Sequence, residues 1–125
     1  MADRIEWFEF TIPANTLQSA PVSFPMVFNF GEVIEIDVKV PPGPAGNMGF
    51  FISAGGSQFI PRTFGSFIFP DDDYIVWPVA HAINSGSWGL TAFNTDVWPH
   101  TIQVSFQINE IAGSPELTFG LPIGL

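Results

Sequence analysis

The sequence predicts an all-β protein, built as a single antiparallel β-sandwich, and two observations support this. Apolar residues recur with period two, which is typical of half-buried strands, rather than with the 3.6-residue period of helices. Twelve prolines and twelve glycines are spread along the 125 residues and leave hardly any window long enough for a helix. A chain of this length forms one domain, and without cysteine its folding depends on apolar burial.

The first three predicted strands are residues 5–12, 22–30 and 33–40. The first is aromatic and β-branched, with Phe8 on one face and Trp7 on the other. The second has an aromatic residue or Met at alternate positions, but Pro25 confines it to an edge or a bulge. In the third, the alternation predicts a buried face and a wet face, the latter formed by Glu35, Asp37 and Lys39.

Five short strands are predicted next, at 49–54, 58–61, 66–69, 74–79 and 87–93. The breaks between the segments are rich in Gly, Pro, Asn, Asp and Ser, which favour turns. The last strand, 100–108, alternates as clearly as 33–40. We expect these two strands to place eight apolar side chains in one core: Ile34, Ile36, Val38, Val40, Ile102, Val104, Phe106 and Ile108.

Eight or nine short strands at this spacing favour a sandwich that is either jelly-roll-like or immunoglobulin-like. The sandwich domain is predicted to cover residues 1–111. The remaining residues, 112–125, form an apolar tail that Gly and Pro interrupt every few residues. Its large side chains fall on every second position, so we expect an extended segment that docks on a neighbouring subunit through Leu117, Phe119, Leu121, Ile123 and Leu125.

The composition excludes several classes of function. Three basic residues against twelve acids give a net charge of −9, which excludes nucleic acid and anionic membrane surfaces as partners. No apolar run is long enough to span a membrane, and the N-terminus does not read as a signal peptide. Charged residues make up only 12% of the chain, against roughly 25% in ordinary domains. Such a surface is either partly covered by partners or coated with neutral polar residues.

No catalytic, cofactor or metal residue is predicted, and the chain is not expected to be an enzyme. His81 and His100 each follow a Trp-Pro pair, but neither has a nucleophile or a partnered acid nearby in sequence. We interpret both as histidines of turns or strand ends. The three acids 71–73 are interpreted as a solvated turn, because adjacent carboxylates cannot all face one cation. A small-molecule ligand is not expected.

The tryptophans are the candidates for a binding surface. Trp77, Trp88 and Trp98 lie near one another in sequence. The four tryptophans, which include Trp7, are expected together with Tyr74 either to anchor the core or a protein interface, or to stack on sugar rings. In the second case the possible partners for sugar hydroxyls are Asn84, Asn94 and Asp96.

Four stretches carry a resemblance to a known family. They are Trp-Phe-Glu-Phe-Thr-Ile-Pro-Ala at 7–14, Val-Pro-Pro-Gly-Pro-Ala-Gly at 40–46, Gly-Phe-Phe-Ile at 49–52 and Ala-Phe-Asn-Thr-Asp-Val-Trp-Pro-His-Thr-Ile at 92–102. In the residues of these stretches and in their order along the chain, the protein resembles small β-sandwich virion proteins of tailed bacteriophages, particularly those of actinobacterial hosts.

The resemblance implies a non-enzymatic structural protein, either a capsid decoration (cement) subunit or a tail or neck component. It implies assembly in the host cytoplasm, with further copies of the chain or a major capsid or tail protein as partner. The alternative reading is a carbohydrate-binding module that recognises a host-surface glycan.

Overall fold

The computed structural model describes residues 4–29, 31–84 and 87–109, with the backbone alone for 80–84. Eight strands make up its regular structure: β1 (Arg4–Ile12), β2 (Val22–Val27), β3 (Glu32–Val40), β4 (Met48–Ala54), β5 (Ser57–Ile60), β6 (Asp73–Asn84), β7 (Ser87–Asn94) and β8 (His100–Asn109). The predicted all-β class is confirmed. Within the described ranges, no helix is long and apolar enough to cross a membrane.

Two antiparallel sheets of four strands form the sandwich, in the orders β1-β8-β3-β6 and β2-β7-β4-β5. The hairpin β4·β5 is followed outward by the pairs β3·β6, β2·β7 and β1·β8. The chain is therefore a long antiparallel hairpin rolled into two sheets, which is the jelly-roll arrangement. An immunoglobulin-like order would instead pair β1 with β2. The structure thus decides between the two predicted alternatives.

The core lies between the sheets and receives side chains from every strand. Fully buried members include Ile12, Met26, Phe50, Leu90 and Phe106. Seven of the eight predicted core residues of β3 and β8 are buried there. Pro25 lies on β2, an edge strand as predicted, where a residue without a backbone N–H removes no ladder bond from the sheet interior.

Ile34 departs from the prediction. The pairing of β3 with β8 shifts between Val33 and Glu35, so one extra residue of β3 is accommodated at Ile34. Such a bulge reverses the inward and outward phase of the residues before it. As a result, Val33 is fully buried in the core, while Ile34 is half-buried.

The predicted strand 66–69 is also absent. Its contact with the sheet is a single bridge, in which the backbones of Ile68 and Phe50 exchange two hydrogen bonds of 2.9 Å. The predicted strand 74–79 extends further in the structure, over Asp73–Asn84. Residues 110–125 lie outside the described ranges. The expected docking tail, with Leu117, Phe119, Leu121, Ile123 and Leu125, therefore stays a prediction.

Candidate functional site

The three candidate tryptophans do not form one platform. Trp88 is only 3% exposed and packs in the core, with its ring centroid 5.0 Å from that of Phe106. It is unavailable to a glycan or a partner. Trp98 is 68% exposed, and it lies in the connection between β7 and β8. Of the polar residues expected beside them, Asn94 is fully buried and donates to backbone carbonyls of Ile12 and Trp98.

Trp77 lines a half-open cavity of about 300 Å³ at the edge between β5 and β6. The cavity wall consists of Phe59, Ile60, Pro61, Arg62, Trp77, Pro78 and Val79. The guanidinium of Arg62 lies 4.8 Å from the centre of the Phe59 ring, a cation–π distance. Neither Trp88 nor Trp98 lines this cavity, although the Trp88 ring packs against Phe59 of its wall, with ring centroids 5.6 Å apart.

The outer surface of the sheet β1-β8-β3-β6, which we call the open face, presents a different aromatic pair. Its rows run across the four strands, and the middle row is Trp7, Ser105, Asp37 and Val76. The row on one side is Glu9, Gln103, Lys39 and Tyr74, and that on the other is Ile5, Gln107, Glu35 and Pro78. Trp7 is 58% exposed on one edge strand and Tyr74 is 66% exposed on the other.

Polar side chains form the floor between these two aromatics. The Tyr74 hydroxyl donates to Oδ2 of Asp37 at 3.1 Å, and Nε2 of Gln107 donates to Oε2 of Glu35 at 2.8 Å. Contrary to the predicted wet face, Asp37 is only 7% exposed. The hydrogen bond between the carboxyl groups of Glu35 and Asp37 raises the pKa of Glu35, as do burial and the negative charge of Asp37.

One atom of this floor lacks a partner. When Glu35 is ionised it has no proton to share, and Oδ1 of Asp37 then has no hydrogen-bond donor among the described residues. A buried polar atom without a partner carries a free-energy cost. Because this atom is buried beneath the open face, a ligand on the surface does not reach it in this conformation.

The outer surface of the sheet β2-β7-β4-β5, which we call the covered face, is lined by aromatics that its own chain covers. The segment 61–70 folds over this face and packs Phe67 against Phe51 and Phe93, with centroid distances of 5.3 and 5.0 Å. Phe93 is consequently only 3% exposed. Gly49 permits this packing, because a Cβ there would lie 2.5 Å from the Phe93 ring.

The same segment exposes one aromatic side chain. Phe64 is 93% exposed at the tip of the loop that follows β5. The side chain of Gln58 holds this loop, since its Nε2 donates to the carbonyls of Pro61, Thr63 and Ser66 and its Oε1 accepts from the Gly65 N–H. Phe64 is thus presented by a loop whose conformation is fixed by hydrogen bonds.

His100 and two of the acids considered in the sequence analysis have structural partners. Nε2 of His100 lies 2.8 Å from Oδ2 of Asp96, and this hydrogen bond lowers the pKa of Asp96. Oδ1 of Asp71 accepts from the Gly43 N–H at 2.9 Å, which lowers the pKa of Asp71. The His81 side chain lies outside the described part of the structure. Among the described residues, no group of three or more acids or histidines could hold a metal ion.

The sequence grouped Trp7 and Tyr74 with the other tryptophans as possible stacking residues, and alternation placed Trp7 on the face opposite Phe8. The usable signal was the phase of Trp7, which puts a large aromatic on the side of its strand away from the core. Nothing in the local pattern indicates that β1 and β6 border the same sheet.

No protein-family model and no curated protein matches the sequence. Among solved structures, the chain is similar to the Yersinia pseudotuberculosis-derived mitogen, with 14% sequence identity, a TM-score of 0.43, and coverage of 96% of this chain and 98% of that one.

Proposed function

We propose that this protein is a non-enzymatic structural subunit of a phage virion, a capsid decoration (cement) subunit or a tail or neck component, that acts through protein–protein interfaces. The supporting observation is that large apolar side chains stay exposed although the core is filled: Ile5, Trp7, Leu17, Val27, Phe64, Phe69, Tyr74, Val76, Val97 and Trp98. Exposed aromatic groups in a chain with few charges are typical of surfaces that bind other proteins.

Phe64 is the best-placed interface anchor. Binding hot spots are large side chains that enter a pocket of the partner, and they bind more tightly when the free protein already holds them in position. The hydrogen bonds of Gln58 hold the loop in this way. The partner that fits is a capsid or tail protein, or another copy of this chain, with an apolar pocket of the size of a phenyl ring.

Incorporation into particles tests the proposal. Mass spectrometry of purified particles of the phage that encodes the protein should detect it in many copies. The variant Phe64→Ser should keep the wild-type melting temperature, because the side chain is almost fully exposed, and should be incorporated about tenfold less. Thr63→Ser, an exposed change in the same loop, is the matched control. Purified particles that lack the protein would contradict the proposal.

A carbohydrate-binding module is the second candidate, and the specific observation in its favour is the aromatic pair of the open face. The jelly roll serves both viral capsid proteins and lectins, so the fold is compatible with either candidate. The two functions also do not exclude each other, because a virion subunit can bind a glycan with one face and its particle with another.

A further inference from the structure

The cavity at the edge between β5 and β6 combines aromatic walls with one cation. Phe59 and Trp77, both half-buried, contribute their rings from the edge strands of the two sheets. Arg62 supplies a guanidinium, and none of the described residues that line the cavity is an acid. Its volume of about 300 Å³ lies at the lower end of the range of small-molecule sites, roughly 300–1,000 Å³. A ligand body of one or two fused rings suits that space.

Arg62 is a cation without an anionic partner. Its Cζ lies over the Phe59 ring, 4.8 Å from the ring centre, and within the described ranges the guanidinium makes no ion pair or hydrogen bond. The contact with the ring uses only part of the group, whose five N–H donors can still form paired bonds with a carboxylate. The chain has twelve acids against three basic residues. A guanidinium that stays unpaired in so acidic a chain is available to an anion from outside.

The wall of the cavity is held in position before any ligand binds. The ring of Phe59 packs edge-on against the buried Trp88, with ring centroids 5.6 Å apart. Nε2 of Gln58 donates to the carbonyls of the residues on either side of Arg62, at 2.7 and 3.0 Å. On the other side of the cavity, Trp77 packs against the core. A site whose walls are already ordered loses little conformational entropy on binding.

We propose that this cavity binds a small aromatic carboxylate, with Arg62 bonded to the carboxylate and the rings of Phe59 and Trp77 in contact with the aromatic body. A carboxylate matches the planar donor set of arginine, and the ring gains apolar burial between two aromatic side chains. A phosphate matches the same donors, but its second negative charge is disfavoured by a chain of net charge −9. The sequence did not predict a small-molecule ligand, because this cavity forms only where two sheet edges meet.

An NMR titration of the isotope-labelled full chain tests the site, with naphthoate as the probe. Naphthylmethanol has the same rings without the charge, and acetate has the charge without the rings. We expect saturable shifts of the Trp77 indole N–H with naphthoate, about tenfold weaker binding of the alcohol, and no saturation with acetate. The resonance is assigned with Trp77→Phe, and the indole N–H of the exposed Trp98 should not shift.

Two charge-matched variants identify the cation that binds the probe. Arg62→Gln should weaken naphthoate binding about tenfold, to the level of the neutral alcohol, because the paired hydrogen bonds are lost. Lys39→Gln is the matched control, since it removes the same charge from the open face and should change naphthoate binding less than twofold. Both side chains are exposed, so both variants should fold as the wild type does.

Three results would overturn the inference: no saturable shift at Trp77, equal affinity for naphthoate and its alcohol, or equal losses in Arg62→Gln and Lys39→Gln. Shifts at Trp77 that follow the protein concentration without any probe would assign the cavity to contact between copies of the chain instead. None of these results depends on whether the protein is found in phage particles, so the proposed virion role is tested separately.

Discussion

The two sheets differ in what lies over their outer faces. On the covered face, the segment 61–70 buries Phe93 beneath Phe67 and Phe69. On the open face, Trp7 and Tyr74 stay exposed beside a polar floor. Both faces carry large aromatics, but on the described residues only the covered face has its aromatics enclosed by the chain itself.

This difference separates stability from binding. An aromatic enclosed by its own chain contributes apolar burial to folding, whereas an exposed one contributes little until a ligand covers it. The aromatics of the covered face are therefore expected to stabilise the fold, and those of the open face to serve binding. Four predictions test that division, from the largest expected effect to the smallest.

Truncation of one aromatic on each face tests whether the covered face contributes more to stability than the open face does. Phe93→Ala removes a buried ring and should lower the free energy of unfolding by about 3–5 kcal/mol, a large part of the roughly 5–15 kcal/mol of a typical domain. Trp7→Ala, on the open face, should change it by less than about 0.5 kcal/mol. Urea denaturation monitored by circular dichroism measures both, and equal losses would contradict the division.

A methyl group at Gly49 should disturb the covered face specifically. The added Cβ would lie 2.5 and 2.8 Å from two atoms of the Phe93 ring, which has to move under the packed loop. We expect Gly49→Ala to cost about 1–3 kcal/mol, the usual effect of overpacking. Gly89→Ala is the matched control, because its nearest contacts would be an ordinary 3.7 Å; it should be neutral or slightly stabilising. A neutral Gly49→Ala would show that the loop packs loosely.

Loss of the Tyr74 hydroxyl should have a smaller effect, confined to the polar floor. Tyr74→Phe removes the hydrogen bond to Asp37, a nearly buried carboxylate, at an expected cost of about 1 kcal/mol. Gln103→Ala, which removes the bond between Gln103 and the exposed Glu9, should cost less than about 0.5 kcal/mol. Thermal melts of the two variants give the comparison, and a costlier Gln103→Ala would contradict our description of the floor.

The ionisation of Glu35 on the open face should change the stability of the protein with pH. The folded-state pKa of Glu35 is raised above its ordinary value of 4.5, mainly through Asp37. The stability that this raised value contributes is complete below pH 4.5 and is lost as the pH rises through the folded pKa. Glu35→Gln cannot ionise, so we expect the wild-type melting temperature to fall relative to this variant across that rise.

Asp96 provides a control of opposite sign at the end of the sandwich. Its pKa is lowered from 3.8 by the hydrogen bond with His100, so its contribution is present above that pH and is lost as the pH falls through the lowered value. Asp96→Asn should therefore differ most from wild type at neutral pH, and the difference should disappear in acid. A Glu35→Gln variant with the same pH profile as Asp96→Asn would contradict the assignment.

Particular residues show which features of the fold the sequence predicts. Alternation alone predicted that Phe106 and Ile102 are buried and that Trp7 faces away from Phe8, since a strand turns successive side chains to opposite faces. Pro25 alone confined its strand to an edge or a bulge, because proline cannot donate to a ladder, and β2 is an edge strand. These are local properties of the backbone, and the sequence contains all that they need.

Only the tertiary structure decided what lies over each face. Alternation puts Phe93 and Trp7 on outward faces alike, but the first is buried by a loop and the second is not. The bulge that buries Val33 in the core in place of Ile34 comes from the pairing with β8, some seventy residues further along the chain. The placing of Trp7 and Tyr74 around Asp37 requires β1 and β6 to border one sheet. Each of these features depends on contacts between segments distant in sequence, and a period-two pattern assigns a residue to a side of its strand without specifying what packs there.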